Sequence, residues 1–244
     1  MLRKLSYAGT RLAKTASKTF LTWYLIVTGM VYPISRLIIS PVYRLWLRKA
    51  DGRANIPKNN PFIVAANHVS YFETLLLPII IVPETNKKIH ALVNSYYWGN
   101  FFTRYFLNLW ECIPVFVEKS EKDRSKNKKA FKVALNWLKK NEIIMIFPEG
   151  KRGDGRRLQK GYTGVARLAL QSKAPVLPVG VIGSDKVLPK GASFPRFARC
   201  EVKIGKPMRF PQHYNKKINE KALHEVTRSI MKEIAKLIGQ EYDY

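Results

Sequence analysis

A chain of 244 residues suits one large domain, or one domain with a short extension, and an apolar share of 46% argues against disorder. Lys and Arg total 43 against 17 acids, a formal charge of +26, which predicts attraction to a polyanion: nucleic acid or an anionic lipid surface, unless it is only a lysine-rich compositional bias. The two cysteines, Cys112 and Cys200, lie far apart in no metal-binding spacing, which argues against a disulfide framework or a structural zinc site and fits a reducing, cytosolic setting.

Residues 1–19 alternate basic and apolar side chains, with Arg3, Lys4, Arg11, Lys14 and Lys18 and no acid. Leu2, Leu5, Leu12 and Phe20 supply the stripe that an interfacial helix needs. Residues 20–35 are uncharged, slightly short of the about 20 apolar residues of a full span, and carry Pro33. Trp23, Tyr24, Tyr32, Tyr43 and Trp46 suit the headgroup region. No small-residue cleavage site follows, which weighs against a signal peptide. A single spanning helix and a helix pair bent near Pro33 and Pro41 within one leaflet remain as readings. Both make residues 1–50 a membrane-associated segment and place the protein at the cytoplasmic face of a membrane.

From about residue 57 the pattern changes to alternating strands and helices. Residues 61–66, 89–93, 113–117, 142–147, 175–182 and 200–204 read as strands. Residues 72–81 read as an apolar helix, buried or facing lipid. Phe131, Ala134, Leu135 and Leu138 fall at helical spacing, as do Val165, Leu168 and Ala169. Leu223, Val226, Ile230, Ile234 and Leu237 mark an amphipathic closing helix. This alternation predicts an α/β domain over residues 51–244, a mixed, largely parallel sheet flanked by helices.

Two constellations carry chemistry. Asn67-His68-Val69-Ser70 follows a strand, and Glu73 would fall in the first turn of the next helix. Open α/β sheets place their sites at such strand ends. From there the Glu73 carboxylate can orient the His68 ring and leave its other nitrogen free as a base. Ser70 with Glu73 also reads as a capping box, which any helix start can use. The second constellation, Phe147-Pro148-Glu149-Gly150-Lys151-Arg152, again follows a buried strand, and Gly150 permits a tight turn. Lys151, Arg152, Arg156, Arg157 and Lys160 then crowd together, either as a phosphate site or as a solvated basic loop.

Together these segments resemble the glycerolipid acyltransferases of the lysophosphatidate acyltransferase type. That family carries Asn-His-x-Ser-x-x-Asp and, some eighty residues on, Phe-Pro-Glu-Gly-x-Arg. Asn67, His68, Ser70 and Glu73 match the first, and Phe147, Pro148, Glu149, Gly150 and Arg152 the second. Lys160 and Gly161, then the proline-bearing strand at 174–179, look like the family's remaining motifs. Two positions depart: Glu73 stands for the family's aspartate, and the run from Glu111 to Lys119 lacks the family's glycine and arginine, leaving Lys119 or Arg104 as substitutes.

The resemblance implies His68 as general base oriented by Glu73, and contacts to a phosphate-bearing acceptor from Asn67, Ser70, Glu149, Gly150, Arg152 and Lys160. It implies acyl-CoA or acyl carrier protein as donor, a lysophospholipid acceptor, and neither metal nor bound cofactor. Rival classes fit less well. No nucleic-acid-binding pattern accompanies the charge. Ser70, two residues from His68 at a helix cap, is poorly placed as a hydrolase nucleophile. A non-catalytic anionic-lipid-binding module is the third alternative.

Overall fold

The computed structural model describes residues 45–116 and 120–244. The expected membrane segment therefore lies outside the described residues as far as residue 44, as does Lys119. Among the described residues no helix is long and apolar enough to cross a membrane.

Seven strands form one sheet: β1 (Leu47–Asp51), β2 (Ile63–Ala66), β3 (Ile89–Asn94), β4 (Ile113–Val115), β5 (Ile143–Ile146), β6 (Val176–Ile182) and β7 (Cys200–Ile204). Their order across the sheet is β1-β7-β6-β2-β5-β3-β4. The run from β6 to β4 is parallel throughout, β7 is antiparallel to β6, and β1 lies parallel to β7. The sheet is thus mixed and largely parallel, as expected.

Among the described residues the α-helices are α1 (Phe72–Thr85), α2 (Phe101–Leu109), α3 (Glu121–Lys139), α4 (Gly164–Ser172), α5 (Ser184–Val187) and α6 (Glu220–Ile238). Strands β2 and β5 are buried at every position because helices cover both sheet faces. On β2, Val64 and Ala66 pack toward α1 with Leu76, Leu77, Ile80 and Ile81. Ile63 and Ala65 point the other way, into the core that α3, α4 and α6 close with Ala134, Leu168 and Ile230. The helix at residues 72–85, readable as buried or lipid-facing, therefore faces the protein core. At Gly180 in β6 a Cβ would lie 2.8 Å from Ile238 Cγ2 and from Leu237 Cβ, so glycine lets the end of α6 lie flat on the sheet.

Helix ends follow local chemistry. Ser120 Oγ accepts the Asp123 N–H at the start of α3, Asn219 Oδ1 accepts the Ala222 N–H at the start of α6, and Gly239 ends α6 in the left-handed region. Two expectations are corrected. The boundary drawn between residues 50 and 51 cuts through β1, which hydrogen-bonds to β7. Trp46, assigned to the headgroup region, instead packs edge-on against Phe72 with centroids 6.0 Å apart, and its Nε1–H donates to the Arg196 carbonyl at 2.9 Å.

Candidate active site

The turns that follow β2, β5 and β6 meet at one end of the sheet, because these strands are parallel neighbours. The turn after β2 carries Asn67, His68 and Ser70. Asn67 is buried, and its amide both donates to the Val181 carbonyl at 2.9 Å and accepts the Val181 N–H at 2.7 Å. It therefore extends the pairing of β2 with β6 by one side chain. Ser70 Oγ donates to the Leu188 carbonyl at 2.7 Å and accepts the Phe72 N–H at 3.1 Å.

Glu73 sits in the first turn of α1, fully buried, where the helix dipole favours a carboxylate. Its Oε1 accepts the Val69 N–H at 3.0 Å, the Ser70 N–H at 2.9 Å and the Ser184 hydroxyl at 2.6 Å. Its Oε2 faces His68 Nδ1 at 2.8 Å. A carboxylate holding that many donors acts as the acceptor, so the ring proton belongs on Nδ1 and Nε2 carries the free lone pair. The bond from the Ser70 N–H is the glutamate half of the capping box, so capping and ring orientation coexist in one side chain. The His68 ring stacks on Phe147, centroids 4.1 Å apart and planes at 20°. Its side chain keeps 13% exposure, and Nε2 has no protein partner among the described residues.

The turn after β5 is bound to the same corner. Glu149 is buried; Oε1 accepts the His68 N–H at 2.7 Å and Oε2 the Gln159 N–H at 2.9 Å. The Gly153 N–H donates to the His68 carbonyl at 2.8 Å. Burial pushes the Glu149 carboxyl above its ordinary range, and the two backbone donors pull it back down. Gly150 has φ of +67° and donates its N–H to the Phe147 carbonyl at 3.0 Å. A Cβ there would lie 2.9 Å from the Tyr162 ring, so the turn requires glycine for both reasons.

Asn67, Ser70 and Glu149, expected to contact the substrate, thus spend their side-chain polar atoms on protein partners and hold the frame. Glu149 is additionally unsuited to a phosphate, being a buried group that only accepts when ionised. The basic residues behave differently. The Arg152 guanidinium lies 3.5 Å from the centroid of the Tyr71 ring, three residues from His68. Tyr71 in turn shares a hydrogen bond with Tyr97, whose phenol is pushed up to about 12, chiefly by burial and then by that bond. Lys160 and Lys151 are exposed. Arg157 pairs with Asp243 at 2.8 Å, and Arg104 is exposed on α2 over Phe101. Burial pushes Cys112 up to about 11 and Cys200 up to about 12, so neither thiol is an activated nucleophile near neutral pH. A cleft is lined by Asn67, Glu149, Arg157, Val181 and Asp185, but His68 is not among its lining residues.

The family model described as Acyltransferase matches residues 48–182, more than half of the chain, including His68, Glu73 and Arg152 but ending just before Ser184. The chain belongs to the acyltransferase family. A 1-acyl-sn-glycerol-3-phosphate acyltransferase of Bacillus subtilis is 24% identical over 195 residues, covering 79% of this chain and 90% of that protein. A protein of the same name from Salmonella typhimurium is 29% identical over 127 residues, covering 51% and 49%. An uncharacterized protein of Mycobacterium bovis is 26% identical over 174 residues; the match covers 66% of this chain but only 44% of that longer relative. The crystal structure of the lysophosphatidate acyltransferase PlsC from Thermotoga maritima superposes with a TM-score of 0.63 at 20% identity, covering 89% of this chain and 83% of that one, and so shares the fold.

Within this acyltransferase-family chain, Ser184 is the site residue that sequence reasoning missed. It opens α5 directly after β6 and donates to Glu73 from 111 positions away. A small polar residue after a glycine at a strand end was the available signal. Nothing local said that β6 lies beside β2.

Proposed function

We propose that the chain transfers a fatty acyl group from an acyl thioester, carried on coenzyme A or acyl carrier protein, to the free hydroxyl of a lysophospholipid. The favoured acceptor is lysophosphatidate, giving phosphatidate. The observation that carries the reading is the His68–Glu73 pair, with Nδ1 held at 2.8 Å and Nε2 without a partner among the described residues.

The acceptor hydroxyl gives its proton to His68 Nε2 as its oxygen bonds to the thioester carbonyl carbon. The imidazolium that forms is stabilised by Glu73, itself held by Ser184 and two backbone amides. Collapse of the tetrahedral oxyanion expels the thiolate, which takes the proton back from Nε2. Arg152, pre-oriented on Tyr71, supplies a cation for the acceptor phosphate, and the exposed Lys160 and the turn at Gly150 complete that side. No bound cofactor is needed for these steps. Two relatives named 1-acyl-sn-glycerol-3-phosphate acyltransferase favour this acceptor over glycerol 3-phosphate and other lysophospholipids. A lipid acceptor and a +26 chain both favour work at an anionic membrane surface, at its cytoplasmic face.

Membranes carrying the full chain, given acyl-CoA and labelled lysophosphatidate, are expected to form phosphatidate, and His68→Ala membranes at matched expression are not. Wild-type product with another acceptor but none with lysophosphatidate would shift the substrate. Silence with every acceptor and both donor types would leave a lipid-binding module and remove the catalytic role of His68.

A further inference from the structure

Helix α2 has a pronounced apolar side, yet none of its residues is buried. Phe101, Phe102, Tyr105 and Phe106 are all more than half exposed, Phe102 by 72%. A second exposed aromatic site lies between α5 and β7, where Phe194 is 82% exposed and Phe197 is fully exposed. Clustered exposed aromatic side chains of this kind on a folded domain mark an interaction site.

Position and charge say what occupies it. Strands β2, β3, β5 and β6 are parallel, so the segments that follow them emerge at the same end of the sheet. The segment after β3 leads into α2, and the segment after β6 contains Phe194 and Phe197. Each is tied by a hydrogen bond to the turn that carries His68: Tyr97 bonds Tyr71, and the Leu188 carbonyl accepts from Ser70. The two aromatic segments therefore flank the mouth of the site. Residues 95–110 hold Arg104 and no acid, and residues 186–199 hold Lys186, Lys190, Arg196 and Arg199 and no acid. Aromatic rings interleaved with basic side chains match the headgroup boundary of an anionic bilayer, where rings seat at the edge of the acyl region and cations meet phosphate.

We propose that α2 and the 186–199 segment form a docking face for an anionic phospholipid bilayer, separate from residues 1–44, which sets the mouth of the His68 site onto the lipid surface. The proposal rests on the acyltransferase reading above and deepens it by giving the acceptor lipid a route that stays within one leaflet.

The test uses the full chain in a Cys112→Ser background, with single labels at Phe102→Cys, Phe197→Cys and, at the opposite end of the sheet, Lys139→Cys. The probe is a nitrobenzoxadiazole dye, and the surface is phosphatidylcholine vesicles with about one-third phosphatidylglycerol. Labels at 102 and 197 should shift blue on the vesicles and be quenched by lipids with doxyl groups on their acyl chains, while the label at 139 should not respond. Replacing Phe101, Phe102, Phe194 and Phe197 together by serine should weaken vesicle binding by about tenfold or more. The proposal falls if the protein does not bind the vesicles, or if labels at 102 and 197 stay in water on vesicles that do bind it. It also falls if those labels are blue-shifted before vesicles are added, which would mean that residues 1–44 or a second copy cover the face. None of these readings needs turnover. Docking by a wild type that acylates no acceptor would therefore sink the catalytic reading alone.

Discussion

Two histidines in this protein have the same kinds of neighbour and, in the proposed mechanism, opposite uses. His68 stacks on Phe147 at 4.1 Å, and His90 stacks on Trp137 at 3.9 Å with planes at 11°. Each has Nδ1 held by a glutamate residue: the Glu73 carboxylate for His68, and the Glu111 carbonyl at 3.2 Å for His90. The difference is where the ring sits on its strand. His68 lies just past the end of β2, with Nε2 open. His90 lies inside β3, fully buried, and its Nε2 has no partner among the described residues. What sets the proposed base apart is its place at a strand end beside a buried carboxylate, whereas a stacked ring with an anchored nitrogen occurs at both places.

That comparison is sharpest under substitution. His68→Ala should lower acyl transfer by about 10²–10⁴-fold, and because the ring is largely buried against Phe147, a melt beside each rate separates lost chemistry from lost folding. His90→Phe should leave the rate near wild type. If instead the two variants lose activity equally, the assignment of roles by strand position fails. Rates from purified protein beside thermal melts would decide it.

Glu73→Gln should come next, again about 10²-fold or more in rate. The glutamine carbonyl takes the place of Oε1, which receives three donors, and so turns the NH₂ group toward His68 Nδ1. That geometry forces the ring proton onto Nε2, the atom that must accept. Full activity in Glu73→Gln would show that the tautomer is set by something else. Ser184→Ala removes one of these donors and leaves the backbone amides in place. A loss of roughly tenfold or less in kcat, with KM unchanged, is expected from one hydrogen bond to a charged group. A KM effect alone would place Ser184 in binding rather than in ring positioning.

The smallest effect concerns pH and stability. Burial pushes the His90 imidazole below its ordinary 6.5, while the Glu111 carbonyl and carboxylate pull it upward and Lys88 and Lys140 add to the depression. The unfolded chain then takes up a proton at 6.5 that the folded chain refuses until a lower pH. Stability from this group is therefore full above 6.5 and falls as pH drops from there through the folded value. Denaturant melts of wild type and His90→Phe should diverge below that pH, with the wild type losing more. Parallel curves would mean that His90 can charge without cost.

Much of this was legible in the chain itself. Strand β7 falls where alternation placed it, and α6 where the spacing of Leu223, Val226, Ile230 and Ile234 placed it. His68 and Glu73 were readable as a pair because five positions suffice to turn from a strand end into the first turn of a helix. Helix α2 was missed although Phe101, Phe102, Tyr105 and Phe106 fall at helical spacing; what the sequence could not say is that this apolar side buries nothing. Strand β1 was hidden because two of its five residues are exposed and none is buried, at the sheet edge, and its apolar neighbours read as membrane sequence.

The sequence by itself determined which residue types stand at the strand ends, the charge of the surface and the α/β alternation, because each of these is set within a few residues of chain. Tertiary structure decided what those residues do. Whether Asn67 and Glu149 face a substrate or brace the fold depends on Val181 and Gln159, which local sequence cannot bring near. The donor that completes Glu73 comes from Ser184 only because β6 lies beside β2. Strand order is fixed by which faces the helices can cover, a property of the whole sheet, and it placed α2 and Phe197 at the end of the sheet where His68 opens.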